Sequence, residues 1–126
     1  MSTATPLRFR IGIILIYVLS LLLAGSALAK FAQVPKVASQ MAAVGFEGNK
    51  LVLIAGLEIA SAILFAIPRT RSFGLLMVSA YLGGAIATHV GHNQPPFQPA
   101  VVLALFWIAA WLRHPDVLRS MVATSS

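Results

Sequence analysis

The sequence predicts an all-α integral membrane protein: a four-helix bundle running up-down-up-down through the bilayer, with a short interfacial helix after the first span. Of its 126 residues, 59% are hydrophobic and 10% are charged, and the mean hydropathy is +0.89. A soluble domain of this size cannot bury so many apolar side chains. The apolar residues also fall into four runs, each close to the length of a bilayer crossing. The predicted spans cover about residues 10–29, 51–67, 73–90 and 97–112 of a single domain, 1–126.

The first run is uncharged over residues 11–29 and follows two arginines. A basic start, an apolar middle and small residues before Lys30 are also the pattern of a secretory signal peptide. The length of the run favours a retained span over that alternative. The long connection 30–50 carries apolar residues at helical spacing, which predict a short amphipathic helix lying in the membrane interface. These residues are Val37, Met41 and Val44.

The second and third runs are joined by a short turn, Pro68–Arg71. Proline ends the preceding helix, and the two arginines predict a turn at the level of the lipid headgroups. Within the third run, Ala80, Gly84 and Thr88 repeat a small residue at every fourth position. This repeat predicts a face for close packing between helices.

The basic residues distinguish the two sides of the predicted bundle. One side carries the arginines, which are Arg8, Arg10, Arg69, Arg71, Arg113 and Arg119. The other side carries three lysines and Glu47. Because positive residues are enriched in cytoplasmic loops, the arginine side and both termini are predicted to be cytoplasmic. The net charge of +6 does not predict nucleic-acid binding, since the basic residues lie at the ends of apolar runs rather than in one patch.

One acidic residue, Glu58, lies inside the second run. An ionisable side chain within a span usually faces the bundle interior and finds a partner. Lys30 can reach inward along its aliphatic stem, and His89 ends the third span at a similar height. The sequence therefore predicts a polar cluster of these three residues, extended inward by Tyr81 and Thr88, that binds a ligand or relays protons. The alternatives are a neutralised Lys30–Glu58 pair that fixes helix register, and a histidine that bonds a carbonyl or water.

Several kinds of chemistry are not predicted. The chain has no cysteine, which excludes disulfides, thiolate nucleophiles and iron–sulfur clusters. His89 and His92 are too few ligands for a zinc site, and no pair of histidines is placed to bind haem from facing helices. The sequence predicts no metal site, and it contains neither a phosphate-binding glycine loop nor a catalytic triad.

The chain resembles the DoxX-like family of small bacterial membrane proteins. The resemblance is carried by Gly56-Leu57-Glu58, Pro68-Arg69-Thr70-Arg71, Tyr81-Leu82-Gly83-Gly84-Ala85 and Thr88-His89, and by a first span ending at Lys30-Phe31. It implies a four-helix bundle in the bacterial inner membrane. The wider family is named for a membrane subunit of a thiosulfate:quinone oxidoreductase. The resemblance therefore implies a membrane subunit or scaffold for a redox partner that binds a quinone-like or lipidic molecule, without showing that the chain is an enzyme.

Two other functions stay open at this point. Four spans with one embedded glutamate are also the plan of small proton-coupled exporters, which here would require a homodimer because one bundle is too small for a pathway. Those exporters carry the acid in the first span, and this chain shows no inverted internal repeat. The third candidate is a purely structural membrane protein. The lipid bilayer is the partner that all three functions share.

Overall fold

The computed structural model describes residues 6–117, which form five α-helices and no strand. The helices are α1 (Leu7–Phe31), α2 (Pro35–Ala42), α3 (Asn49–Ala66), α4 (Arg71–Gly91) and α5 (Phe97–Arg113). A single 3-10 turn, Pro68–Thr70, joins α3 to α4. The all-helical prediction is confirmed, and the short helix predicted after the first span is present as α2.

Three helical segments are long and apolar enough to cross a membrane: α1, α3, and α4 with the turn before it. The fourth predicted span forms α5, which is apolar but shorter, with 17 residues. Three of the four predicted spans are therefore candidate membrane spans by length and composition, and their crossing of a membrane stays a prediction. Many apolar side chains point outward on these helices; Leu21, Leu53 and Leu76 are 72%, 64% and 66% exposed.

The four long helices pack in adjacent pairs, with α1 and α4 each contacting both α3 and α5. Their facing side chains form one hydrophobic core, in which the rings of Phe65 and Phe106 lie 5.0 Å apart in a tilted arrangement. The start of α1 lies beside the end of α5. There the Arg8 guanidinium donates a hydrogen bond to the Trp111 backbone carbonyl and stacks on the Trp111 ring. We call this end of the helix assembly the Arg71 end, because α3 ends there and α4 begins there with Arg71. The opposite end, where α1 stops at Lys30-Phe31 and α3 begins, is the Lys30 end.

The closest helix contacts involve two glycines that the sequence pattern did not single out. A Cβ atom at Gly12 of α1 would lie 2.7 Å from the Arg113 backbone nitrogen, and one at Gly74 of α4 would lie 2.6 Å from the Leu64 carbonyl carbon. Both glycines therefore permit backbone contact where α1 crosses α5 and where α3 crosses α4.

The small residues predicted to pack in α4 lie elsewhere. Ala80 and Gly84 are exposed, and a Cβ atom added at Gly84 would meet nothing within 4 Å. Together with Thr88 they line a cavity that is open to the outer surface of the helices. The prediction of a close-packing face was wrong, because a small-residue repeat shows that residues share a helix face but not what faces them.

Candidate functional site

A cavity of about 1230 Å³ occupies the Lys30-end half of the helix assembly and is lined by all five helices. Its lining mixes apolar side chains with a set of polar ones. The polar lining residues are Ser26, Lys30, Ser39, Gln40, Glu58, Ser61, Tyr81, Thr88, His89, Gln94 and Gln98. All five residues predicted to form the functional cluster are in this set.

Lys30 and Glu58 form a buried ion pair in this cavity. The Lys30 Nζ lies 2.8 Å from the Glu58 Oε1, and the two residues are 7% and 3% exposed. Lys30 also donates to the Ser26 hydroxyl, one turn earlier in α1, at 2.8 Å. The pair forms because Lys30 lies in the last turn of α1 and Glu58 lies near the middle of the neighbouring α3. The predicted contact between them is present, and its role in binding or proton transfer stays a prediction.

The other predicted residues share the cavity without joining the pair. His89 donates from Nδ1 to the Ala85 carbonyl at 2.7 Å, and its Nε2 makes no hydrogen bond to residues 6–117. Tyr81 approaches the Glu58 carboxylate, but no hydrogen bond of standard geometry connects them. Thr88 lines the cavity one residue before His89. The carbonyl bond of His89 is the one expected of a histidine with a structural role, while its free nitrogen keeps the functional interpretation open.

The cavity opens toward the outer surface of the helices. Three of its lining residues, Leu22 of α1, Leu57 of α3 and Leu105 of α5, are 65%, 43% and 36% exposed. Exposed Ala80 and Gly84 of α4 also line it. Exposed apolar side chains of three helices therefore line the same cavity as the buried ion pair, and so do the exposed polar residues Ser39, Gln40 and Gln98.

A second polar cluster, which sequence reasoning missed, lies at the Arg71 end. Arg71 is 4% exposed, and its guanidinium donates to the carbonyls of Phe65 at 2.9 Å and Ala66 at 2.8 Å. The Thr70 hydroxyl donates to the Leu64 carbonyl at 2.8 Å. The prediction that Arg71 lies at the level of the headgroups stays a prediction; within the protein its side chain is buried against the end of α3. The signal was Pro68, which has no N–H and leaves the last carbonyls of α3 in need of other donors.

His114 completes this cluster from the end of α5. Its Nε2 lies 3.2 Å from an Arg71 Nη and accepts the guanidinium hydrogen bond. Burial, together with the positive charges of Arg71 and Arg113, lowers the pKa of His114 below its usual value of 6.5. The neutral ring is therefore favoured, which preserves the acceptor that Arg71 needs.

Within residues 6–117, no group of three or more histidine, aspartate or glutamate side chains is placed to hold a metal ion.

The α4 and α5 helices are joined by a hydrogen bond from the Trp107 indole to the Ser79 hydroxyl at 2.9 Å. This bond contributes to helix packing and lies outside both polar clusters.

Comparison with protein families gives a match to the DoxX-like family over residues 14–112. The chain belongs to the DoxX-like family. The matched region contains Lys30, Glu58, Tyr81, Thr88 and His89. Family membership and the long apolar helices together indicate a membrane protein, as the sequence predicted. Comparisons with curated proteins and with solved structures found no match.

Proposed function

We propose that α1, α3, α4 and α5 cross the bacterial inner membrane as an up-down-up-down bundle, with both termini in the cytoplasm. The adjacent packing of these helices and the outward-facing leucines support this arrangement, since lipid is the solvent that such a surface requires. α5 has 17 residues, which is at the short end of the range for a span. The arginines at the Arg71 end support its cytoplasmic placement.

The function that this geometry supports best is binding of a quinone-like or lipidic molecule within the membrane. The observation that carries it is the position of the Lys30–Glu58 pair in a cavity whose lining includes exposed leucines of α1, α3 and α5. An opening between these helices would give an apolar molecule access from the bilayer without passing through water. The volume of about 1230 Å³ accommodates a polar head and part of a hydrocarbon tail.

The residues in the cavity suit an uncharged polar head. The Lys30 ammonium can donate to a carbonyl oxygen, and the Glu58 carboxylate can accept from a hydroxyl group. His89 Nε2 supplies a further acceptor on the same cavity wall. These groups would bind and orient the two oxygenated positions of a quinone or quinol, or the polar head of a neutral lipid.

The chain would act as a membrane subunit or scaffold for a redox partner. Reduction of a quinone takes two electrons and two protons, and the protons can pass through groups such as Glu58 and His89. The electrons require a redox centre, and the sequence has no cysteine to hold an iron–sulfur cluster. A partner protein or a bound cofactor therefore has to supply them.

The test is ligand retention by matched variants. Wild type, Glu58→Gln and Glu47→Gln would be purified in mild detergent from native membranes, and extracted quinones and lipids would be quantified by mass spectrometry. Glu58→Gln keeps the shape of the side chain but loses its charge, whereas Glu47 is exposed and does not line the cavity. We expect the retained quinone or lipid to fall several-fold in Glu58→Gln alone. Equal retention in all three proteins would refute binding through Glu58, and a copurifying oxidoreductase would identify the partner.

A further inference from the structure

A second cavity, of about 490 Å³, lies at the Arg71 end, away from the Lys30–Glu58 pair. Its polar lining consists of Arg71, Ser72, Arg113, His114 and Asp116. Two of these side chains are cationic and one is anionic. The cavity lies where α4 begins and α5 ends, so it is independent of the proposed ligand cavity.

The positive charge at this end is not balanced by the chain itself. The sequence has three acidic residues, and two of them, Glu47 and Glu58, lie at the Lys30 end. Within residues 6–117, neither Arg71 nor Arg113 makes a salt bridge, to Asp116 or to any other acid. Arg71 is nonetheless 4% exposed, and its guanidinium donates hydrogen bonds to uncharged groups, namely two carbonyls at the end of α3 and the His114 ring. A buried cation of this kind gains from a nearby anion.

Ser72 adds a hydroxyl group to the same cavity. It is exposed in the first turn of α4, which the 3-10 turn Pro68–Thr70 leads into directly. A hydroxyl group beside two arginines can donate a hydrogen bond to a phosphate oxygen.

We propose that this cavity binds an anionic phosphate group, carried either by a phospholipid headgroup of net negative charge or by free inorganic phosphate. Arg71 and Arg113 supply the charge, and the Ser72 hydroxyl supplies a hydrogen bond. Asp116 lines the cavity and opposes the anion, so its carboxylate limits the affinity. The arginine side chains place the site at the level where the headgroups of the inner leaflet would lie.

The test adds a competing charge at Ser72. This residue is exposed in the first turn of α4, where an acidic side chain favours the helix, so Ser72→Glu should fold. Ser72→Gln is the matched neutral control, and Asp116→Asn removes the opposing carboxylate. Thermal unfolding of the full chain in dodecyl maltoside would be followed while phosphatidylglycerol, phosphatidylcholine or inorganic phosphate is added at constant ionic strength.

We expect phosphatidylglycerol, but not phosphatidylcholine, to stabilise wild type and Ser72→Gln. Ser72→Glu should bind it at least about tenfold more weakly, and Asp116→Asn should bind it more tightly, since close charges in a partly buried site interact strongly. Stabilisation by inorganic phosphate as well would identify free phosphate as a ligand, whereas a response to the lipid alone would identify the headgroup. Equal responses to the two lipids, or equal binding by Ser72→Glu and Ser72→Gln, would overturn the proposal.

Discussion

Replacement of Lys30 by methionine leaves Glu58 without its partner, and we expect this to be the most damaging change to the ion pair. Glu58 is 3% exposed and lies nine residues after Asn49, the first residue of α3. At about 1.5 Å per residue it is roughly 14 Å from the start of its helix, beyond the reach of its short side chain. Removing one partner of a buried ion pair costs about 3–5 kcal/mol, so Lys30→Met should lower the free energy of unfolding by that amount.

The converse change, Glu58→Met, should lower the free energy of unfolding by less than Lys30→Met does. Lys30 is the penultimate residue of α1, its stem is long, and it also bonds the Ser26 hydroxyl. Without Glu58 its ammonium can move outward to the interface, so Glu58→Met should cost only about 1–3 kcal/mol. The double variant should be close to wild type, because apolar residues of similar volume often replace a buried ion pair without loss of stability.

The assay is reversible unfolding of the four proteins in mixed micelles, in which a rising fraction of sodium dodecyl sulfate unfolds the chain and circular dichroism follows its helicity. The double-mutant cycle gives the coupling between the two side chains. We expect the destabilisation of the double variant to be well below the sum of the two single losses. Additive losses, or a Glu58→Met variant less stable than Lys30→Met, would refute this account of the pair.

Two further predictions concern packing and pH. Gly74→Ala should destabilise the fold by about 1–3 kcal/mol or more, because its methyl group meets the backbone of α3. Gly84→Ala, in open space, should gain about 0.5–1 kcal/mol in the same unfolding assay. Acidification below pH 6.5 should lower the melting temperature, since the lowered pKa of His114 means that the unfolded chain binds the proton more readily than the native fold. His114→Gln, which keeps a hydrogen-bond acceptor for Arg71, should flatten this dependence, and an unchanged profile in that variant would assign it to other groups.

The helices could be predicted from the sequence because hydropathy is summed over many residues. One polar residue within an apolar run therefore has little effect on the prediction. α2 was predicted from three apolar positions with Pro35 before them, and it is present as Pro35–Ala42, which contains Val37 and Met41 but not Val44. The contact between Lys30 and Glu58 could be predicted for a different reason. A charge within an apolar helix needs a partner, and few other residues at that height could serve.

Other features could not be derived from the sequence because they depend on which helix faces which. The Ala80, Gly84 and Thr88 repeat is compatible with close packing and with a cavity wall, and only the tertiary arrangement distinguishes the two. The environment of Arg71 could not be predicted for the same reason. An arginine in a turn between two spans can interact either with lipid headgroups or with the carbonyls at the end of a helix. Its burial depends on the carbonyls that the end of α3 leaves without donors, which become apparent once the turn geometry is known.

The two polar clusters differ in charge, and this difference bears on what each can bind. At the Lys30 end, the cation and the carboxylate neutralise each other at 2.8 Å, so an added anion would gain little from Lys30 and would be repelled by Glu58. The ligand that suits this cavity is therefore uncharged and polar at one end. At the Arg71 end, Arg71 and Arg113 lack a paired acid within the described residues, so the same reasoning favours an anion there.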